Sequence, residues 1–303
     1  MPQGPLLYCR QINKCAHVVS IDKLIRKQQK HRVVLLQLPI MHAKIPFYVV
    51  CFNRIEGLRF ALEFVKSSSL PLEAVILDMG STWEPFITYR DSLGIRIEKF
   101  PKGMGPRDLW VTGTIKKLGV GPFFLADGDI DYSGIPSDCA SVLKSISEKY
   151  PWFPKVGLAL TIRDLPMDLE GSRVLKWELE NWKVRFRGNL YLNGIDTTIA
   201  FYPKREVTFY YRPSLRLGGR YTARHYPWYE RKENFNEEAE FYYQVAGSAI
   251  STTQAKEFPG RKYRIKHRIL IFIYWLLKEP LKFKLFGKLC VQIISYKGKL
   301  NPS

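Results

Sequence analysis

A chain of 303 residues can form one large domain or two modest ones, and 46% apolar with 25% charged residues excludes a disordered, collagen-like or coiled-coil protein. Lys and Arg number 47 against 28 Asp and Glu, a net charge of +19 that suits polyanionic partners: nucleic acid, an acidic membrane face or a phosphorylated small molecule. Cys9, Cys15, Cys51, Cys139 and Cys290 are scattered without a CxxC pair, so neither a disulfide framework nor a structural zinc site is expected, and a reducing cytoplasm fits. The N-terminal MPQGPLLYCRQINKC has no long apolar core of a signal peptide. The longest strongly apolar run, Ile269 to Leu277, is short of the roughly 20 residues a spanning helix needs, so no membrane crossing is expected.

Residues 1–44 are mixed and basic and read as a lead-in, with a short helix around Ile21 to Lys30 and a strand in Val33 to Leu38. IPFYVVCF, from Ile45, is a continuous apolar run of strand length, and RIEGLRFALEFVKSS after it carries apolar residues at helical spacing, Leu58, Leu62, Phe64 and Val65. EAVILDMGST is a second strand, EPFITYRDSLG a short helix and IRIEKF a third strand. Asp108 to Leu118 reads as a helix, GPFFLADGDID as an apolar strand running into acids, PSDCASVLKSISEKY as a helix and KVGLALTIRD as a further strand. Buried strands alternating with helices imply an α/β protein with a largely parallel sheet and right-handed crossovers. From Glu170 the chain is more aromatic: VLKWELENWKVRF reads as helix, IDTTIAFYP as strand, and YYRPSLRLGGRYTARHYPWY as loop. Residues 256–303 hold 12 Lys or Arg against two Glu, so this segment supplies +10 of the +19.

Asp127-Gly128-Asp129-Ile130-Asp131 is the most informative stretch. In extended chain, residues two apart point the same way, so Asp127 and Asp129 would present carboxylates together just past PFFLA. Hard oxygen ligands at that spacing suit Mg²⁺ or Mn²⁺, and the C-terminal strand ends of an open α/β sheet are where ligands bind. A solvated acidic turn is the plain alternative. An EF-hand also places Asp127, Asp129, Asp131 and Asp138 at loop positions 1, 3, 5 and 12, but Tyr132 stands where that loop needs Gly, position 12 is normally Glu, and the segment follows a strand.

With these pieces in order, VVCFNRIEGL, ILDMGST, KGMGPRDLW and FFLADGDID, the chain resembles the GT-A glycosyltransferases, especially family-2-like enzymes that use nucleotide sugars. The resemblance covers residues 45 to about 165 and is looser beyond. It implies a GT-A-like, Rossmann-like catalytic domain over 45–255, with a donor half at 45–165 and an acceptor half at 166–255, followed by a basic helical appendage over 256–303. It further implies that Asn53, Arg54 and Asp78 lie near the nucleotide base, that Asp127 meets the ribose and metal, and that Asp129 binds Mn²⁺ or Mg²⁺ with Asp131 as a helper. Such an enzyme would move a sugar from a nucleotide-diphosphate donor to a hydroxyl of a glycan, lipid-linked or protein acceptor, with inversion. A divalent cation stabilises the negative charge that builds on the departing diphosphate. Lys102 and Arg107 flank a Gly-Met-Gly-Pro loop and could contact the diphosphate, or be solvated charges at a turn.

An inverting transfer needs a carboxylate to take the proton of the attacking hydroxyl. Asp196, in NGIDTTIAF, is the first candidate and Glu178, in KWELENW, the second; a turn cap and a helix-surface charge are their plain readings. His225, in ARHYPWY, is a candidate third metal ligand, because metal-dependent GT-A enzymes often complete the shell with a histidine from this side. Its neighbours Arg224, Tyr226 and Trp228 suit a phosphate-and-sugar cleft, and Trp177 and Trp182 could stack on sugar rings or fill the core. The acidic pair that the fold often carries on a late helix is not apparent. GRKYRIKHRILIFIYWLLKEPLKFKLFGKL interleaves cations with apolar residues, as would a segment touching an anionic membrane face from the cytoplasm or a C-terminal helix packing its apolar side on the catalytic body. No nucleic-acid-binding signature accompanies the charge. The competing functions are a nucleotidyltransferase, which would release pyrophosphate, and a non-catalytic basic binding protein.

Overall fold

The computed structural model describes residues 43–195, 198–205 and 213–246. The expected lead-in helix and strand, Asp196 and the basic segment 256–303 lie outside the described residues. Strand β1 (Ile45–Cys51) alternates its apolar side chains between two faces of one sheet. Phe47, Val49 and Cys51 look one way, onto Leu58, Ala61 and Phe64 of helix α1 (Ile55–Ser67). Tyr48 and Val50 look the other way, onto Leu109, Trp110, Ile115 and Leu118. Being fully buried on both faces is why this strand reads as a continuous apolar run.

The chain continues through β2 (Leu72–Asp78), α2 (Glu84–Ser92) and β3 (Arg96–Lys99). The helix expected over Asp108 to Leu118 is two single turns, α3 (Asp108–Val111) and α4 (Thr114–Lys117). Gly113 between them takes φ 71°, which ends one turn before the next begins. Strand β4 (Phe123–Asp127) follows, then the two-residue β5 (Ile130–Asp131), α5 (Cys139–Lys149) and β6 (Val156–Leu158). The predicted helix VLKWELENWKVRF is a composite: α6 (Leu169–Glu178) starts earlier, a 3₁₀ turn covers Leu179–Trp182, and Arg185–Arg187 is strand β7. Strands β8 (Leu190–Gly194), β9 (Ile199–Tyr202) and β10 (Pro213–Leu217) complete the sheet. The loop-rich reading of the aromatic stretch misses β10. A short β11 (Arg224–His225) and helix α7 (Glu237–Val245) close the described chain.

Among the described residues nine strands form one sheet in the order β3-β2-β1-β4-β9-β6-β10-β8-β7. Strands β1 to β4 are mutually parallel, β9 and β8 run against their neighbours, and the other strands keep the common direction. The first four strands with their crossovers form a doubly wound half, and β9 enters antiparallel between β4 and β6. This mostly parallel, helix-flanked sheet is the GT-A-like α/β fold that the sequence resemblance implies. Strands β5 and β11 pair antiparallel in a separate ribbon at the C-terminal end of β4. No helix among the described residues is long and apolar enough to cross a membrane.

Candidate active site

The acids that end β4 are gathered by a turn and not by strand alternation. The strand stops at Asp127, Gly128 turns, and its N–H donates to the Val50 carbonyl at 2.7 Å. Two glycines make this approach possible. A Cβ on Gly57 of α1 would lie 1.6 Å from the Gly128 carbonyl oxygen, and one on Gly128 would lie 2.7 Å from the Val50 oxygen. The Asp-Gly-Asp turn is therefore seated on the junction of β1 and α1.

The ribbon of β5 and β11 brings His225 to this turn, opposite Ile130. His225 Nε2 lies 3.3 Å from Asp129 Oδ2, and the Tyr226 N–H donates to the Asp129 carbonyl. Asp129 Oδ1 is buried and meets no hydrogen-bond partner among the described residues. Burial pushes the Asp129 carboxyl up, but the neighbouring His225 and the Arg54 charge outweigh it and hold the group below the usual carboxylate range. Asp131 accepts from the Ser133 N–H, which anchors the ribbon's turn. Strand β11 and the segment after it are clamped by two acids of the loop before α6: Asp164 accepts from Arg224 and the Tyr229 hydroxyl, and Asp168 accepts from Arg231.

The turn after β1 carries the residues expected near a nucleotide base. Asn53 adopts φ 52°. Its Oδ1 accepts from the backbone N–H of Thr82 and Trp83 at 2.8 and 2.9 Å, and its buried Nδ2 meets no partner among the described residues. Asp78 accepts from the Ser81 N–H and pairs with the buried Arg90. Both side chains thus shape the loop after β2. Lys102 and Arg107 are exposed on the loop after β3, whose backbone comes so close that a Cβ on Gly80 would be 2.6 Å from Lys102 Cα. Arg54 is only 2% exposed and does not open onto solvent. It makes two bonds to Glu230, lies 3.9 Å from Glu238, and stacks over the Tyr242 ring at 3.8 Å.

Glu230 and Glu238 are site residues that sequence reasoning missed. Glu238, on α7, accepts from the N–H groups of Ile55 and Glu56 at 2.7 and 3.2 Å, so it caps α1 from a distant part of the chain. Burial raises its carboxyl above the ordinary value, against the opposing pull of those two N–H groups and Arg54. A local signal for α7 does exist: Asn236 caps the Ala239 N–H, and Glu237, Glu238 and Glu240 crowd the first turn. Nothing local links that helix to Arg54.

Two expectations change. Glu178 is 2% exposed and pairs with Arg216 at 2.6 Å beneath α6, a position that holds the helix to the sheet and gives no access to an acceptor hydroxyl. Trp228 is 3% exposed and packs its ring 5.0 Å from the His225 ring, so it backs the histidine and offers no face to a sugar. Among the described residues no group of three His, Cys, Asp or Glu side chains is arranged to hold a metal ion. The partnerless Asp129 oxygen beside His225 does fit a divalent cation whose other ligands come from substrate or water.

No protein-family model and no curated protein sequence matches the chain. Among solved structures it is similar to S. aureus TarS 1–349, with TM-score 0.35 and 12% identity over 53% of this chain and 47% of that one. It is also similar to CMP:2-keto-3-deoxy-manno-octonic acid synthetase complexed with CTP, at 0.34 and 11% over 58% and 72%. Mouse xyloside xylosyltransferase 1 gives 0.31 and 10% over 53% and 67%. The chain thus spans about half the length of the TarS fragment, and at scores of this size the fold assignment stands on the sheet order.

Proposed function

We propose that the chain is a metal-dependent glycosyltransferase that moves a sugar, with inversion, from a nucleotide-diphosphate donor to a hydroxyl acceptor. The observation that carries this reading is the meeting of Asp129 and His225 at the C-terminal end of β4, with one carboxylate oxygen buried and unused. Around it stand Asp127, Glu230 and Glu238 with Arg54 as the facing guanidinium, an acidic centre in a chain of net charge +19. Such a centre suits a divalent cation. Asp129 and His225 would hold Mn²⁺ or Mg²⁺, with substrate or water supplying the other ligands, and the ion would offset charge on the leaving diphosphate.

The remaining work falls to the chain's own groups. Asn53 Nδ2, which meets no partner among the described residues, would donate to a base carbonyl, and the exposed Lys102 and Arg107 would meet the phosphates. Glu238, which faces Arg54 and whose carboxyl burial raises above its ordinary value, is one candidate for the proton acceptor. Asp196 is the competing assignment.

Calorimetry with Mn²⁺ and a panel of nucleoside diphosphates tests the proposal. Mn²⁺-dependent nucleotide binding in the native protein, lost about 100-fold or more in Asp129→Ala, is the expected result. Equal binding by both proteins would remove the metal role, and pyrophosphate release from a nucleoside triphosphate would identify a nucleotidyltransferase. Comparing Glu238→Gln with Asp196→Asn separates the two assignments of the base: transfer falls by orders of magnitude in only one of them.

A further inference from the structure

Strand β7 is the outer edge of the sheet, and among the described residues no strand pairs with its far side. Lys183, Arg185 and Arg187 are exposed along it, while Val184 and Phe186 between them pack on the core. Among the described residues neither Arg185 nor Arg187 pairs with a carboxylate; Arg185 Nε donates to the Gly188 carbonyl, and only Lys183 has an acid, Glu180, beside it. Next to these cations two half-buried rings, Trp182 and Tyr191, meet at 67° with centroids 4.8 Å apart and pack on the backbone of Gly218.

The sheet's directions fix where this edge lies. Strands β4, β6, β10 and β7 run the same way, so Asp127, Leu158, Leu217 and Arg187 end at one mouth of the sheet. From β4 to β7 there are five strand spacings, which at about 4.8 Å each is roughly 24 Å. The turn after β7 is tied to the chain that leads to His225, because the Gly218 N–H donates to the Asn189 carbonyl at 2.8 Å. Arg220, two residues on, is exposed along the same rim.

We propose that this edge binds an extended anionic glycan, the acceptor of the reaction, with its cations on acidic groups and the Trp182 and Tyr191 rings against pyranose faces. The assignment of that glycan as acceptor rests on the transferase reading above; the binding surface itself does not. Cations on an edge strand also deter strand pairing between molecules, but that purpose requires neither the paired rings nor a position at the mouth that holds the Asp129 site. Trp and Tyr beside cations also suit a membrane interface, but Trp182 and Tyr191 are half-buried against each other and against Gly218, so neither is free to insert among headgroups as a membrane anchor does.

The test uses the full chain without metal or nucleotide, with dextran sulfate as the anionic probe and neutral dextran and phosphatidylglycerol vesicles as competitors. Reversing all three charges (K183E, R185E, R187E) is expected to weaken dextran sulfate binding about ten-fold or more. Reversing the exposed Lys116 and Lys117, outside this edge, should leave binding within about two-fold, as should Asp129→Ala. Bound dextran sulfate should slow hydrogen exchange in residues 182–191. Equal loss in the two charge-reversal variants, equal competition by neutral dextran, tighter binding to the vesicles, or protection confined to other segments would each overturn the proposal. Unchanged binding in Asp129→Ala alongside absent nucleotide binding in the native protein would instead sink the transferase reading and leave the surface standing.

Discussion

Gly57 sets how near the Asp-Gly-Asp turn can come to α1. It sits inside a helix, where alanine would ordinarily gain about 1 kcal/mol. Here an added methyl would meet a backbone carbonyl at 1.6 Å, and a backbone atom has no rotamer in which to escape. Gly57→Ala should therefore lower stability by about 1 to 3 kcal/mol net, seen as a lower urea midpoint at unchanged slope. Unaltered stability would show that the turn yields freely. Glu238 offers a test of charge at the same scale. Its folded carboxyl titrates above its ordinary 4.5 because it is buried. In the window above 4.5 the native state therefore holds more protons than the unfolded chain, and stability falls as pH rises through it. Glu238→Gln keeps a carbonyl acceptor for Ile55 and Glu56 but cannot ionise. Its stability relative to the unsubstituted protein should improve as pH rises above 4.5 in urea titrations, and a constant difference would contradict the raised carboxyl.

At the scale of elements, legibility in the sequence followed burial. Strands β1, β2 and β4, buried on both faces, read as unbroken apolar runs and begin and end within a few residues of expectation. Strands β8 and β10 did not, because each lies near the sheet's far edge and carries polar residues such as Asn193, Ser214 and Arg216 inward. Those polar groups are satisfied by contacts from elsewhere in the chain, which no local pattern announces. Arg216 on β10 meets Glu178 at the end of α6, and Asn181 also donates to Glu178. Removing only the cation leaves a buried carboxylate without its counterion, so Arg216→Met should destabilise by about 3 to 5 kcal/mol. Replacing both residues by methionine should recover most of that loss, since two apolar chains of similar volume carry no desolvation cost. Thermal unfolding of the three variants decides it: a double variant as weak as the single one would mean that the pair itself, and not its stranded partner, supplies the stability.

For the whole molecule, the candidate site was half legible. The acids after β4 announce themselves because an apolar strand runs straight into them, and His225 was recognised beside them. Glu230 and Glu238 reach Arg54 across more than 170 residues, a juxtaposition that only the folded sheet creates. The same long-range closure makes the two halves of the sheet interdependent. Strand β9, from the later half, lies between β4 and β6 and sets Phe201 against Phe124 and Ile199 against Ala126. Among the described residues strand β6 has only β9 and β10 as partners. A fragment of residues 43–165 would therefore keep β1 to β4 in register yet leave β6 unpaired and β4 with an open apolar edge. It should show no cooperative urea transition and should self-associate in size-exclusion chromatography, whereas residues 43–246 retain the transition. A monomeric 43–165 fragment that unfolds cooperatively would show instead that the parallel half stands alone and that β9 is an addition to a finished sheet.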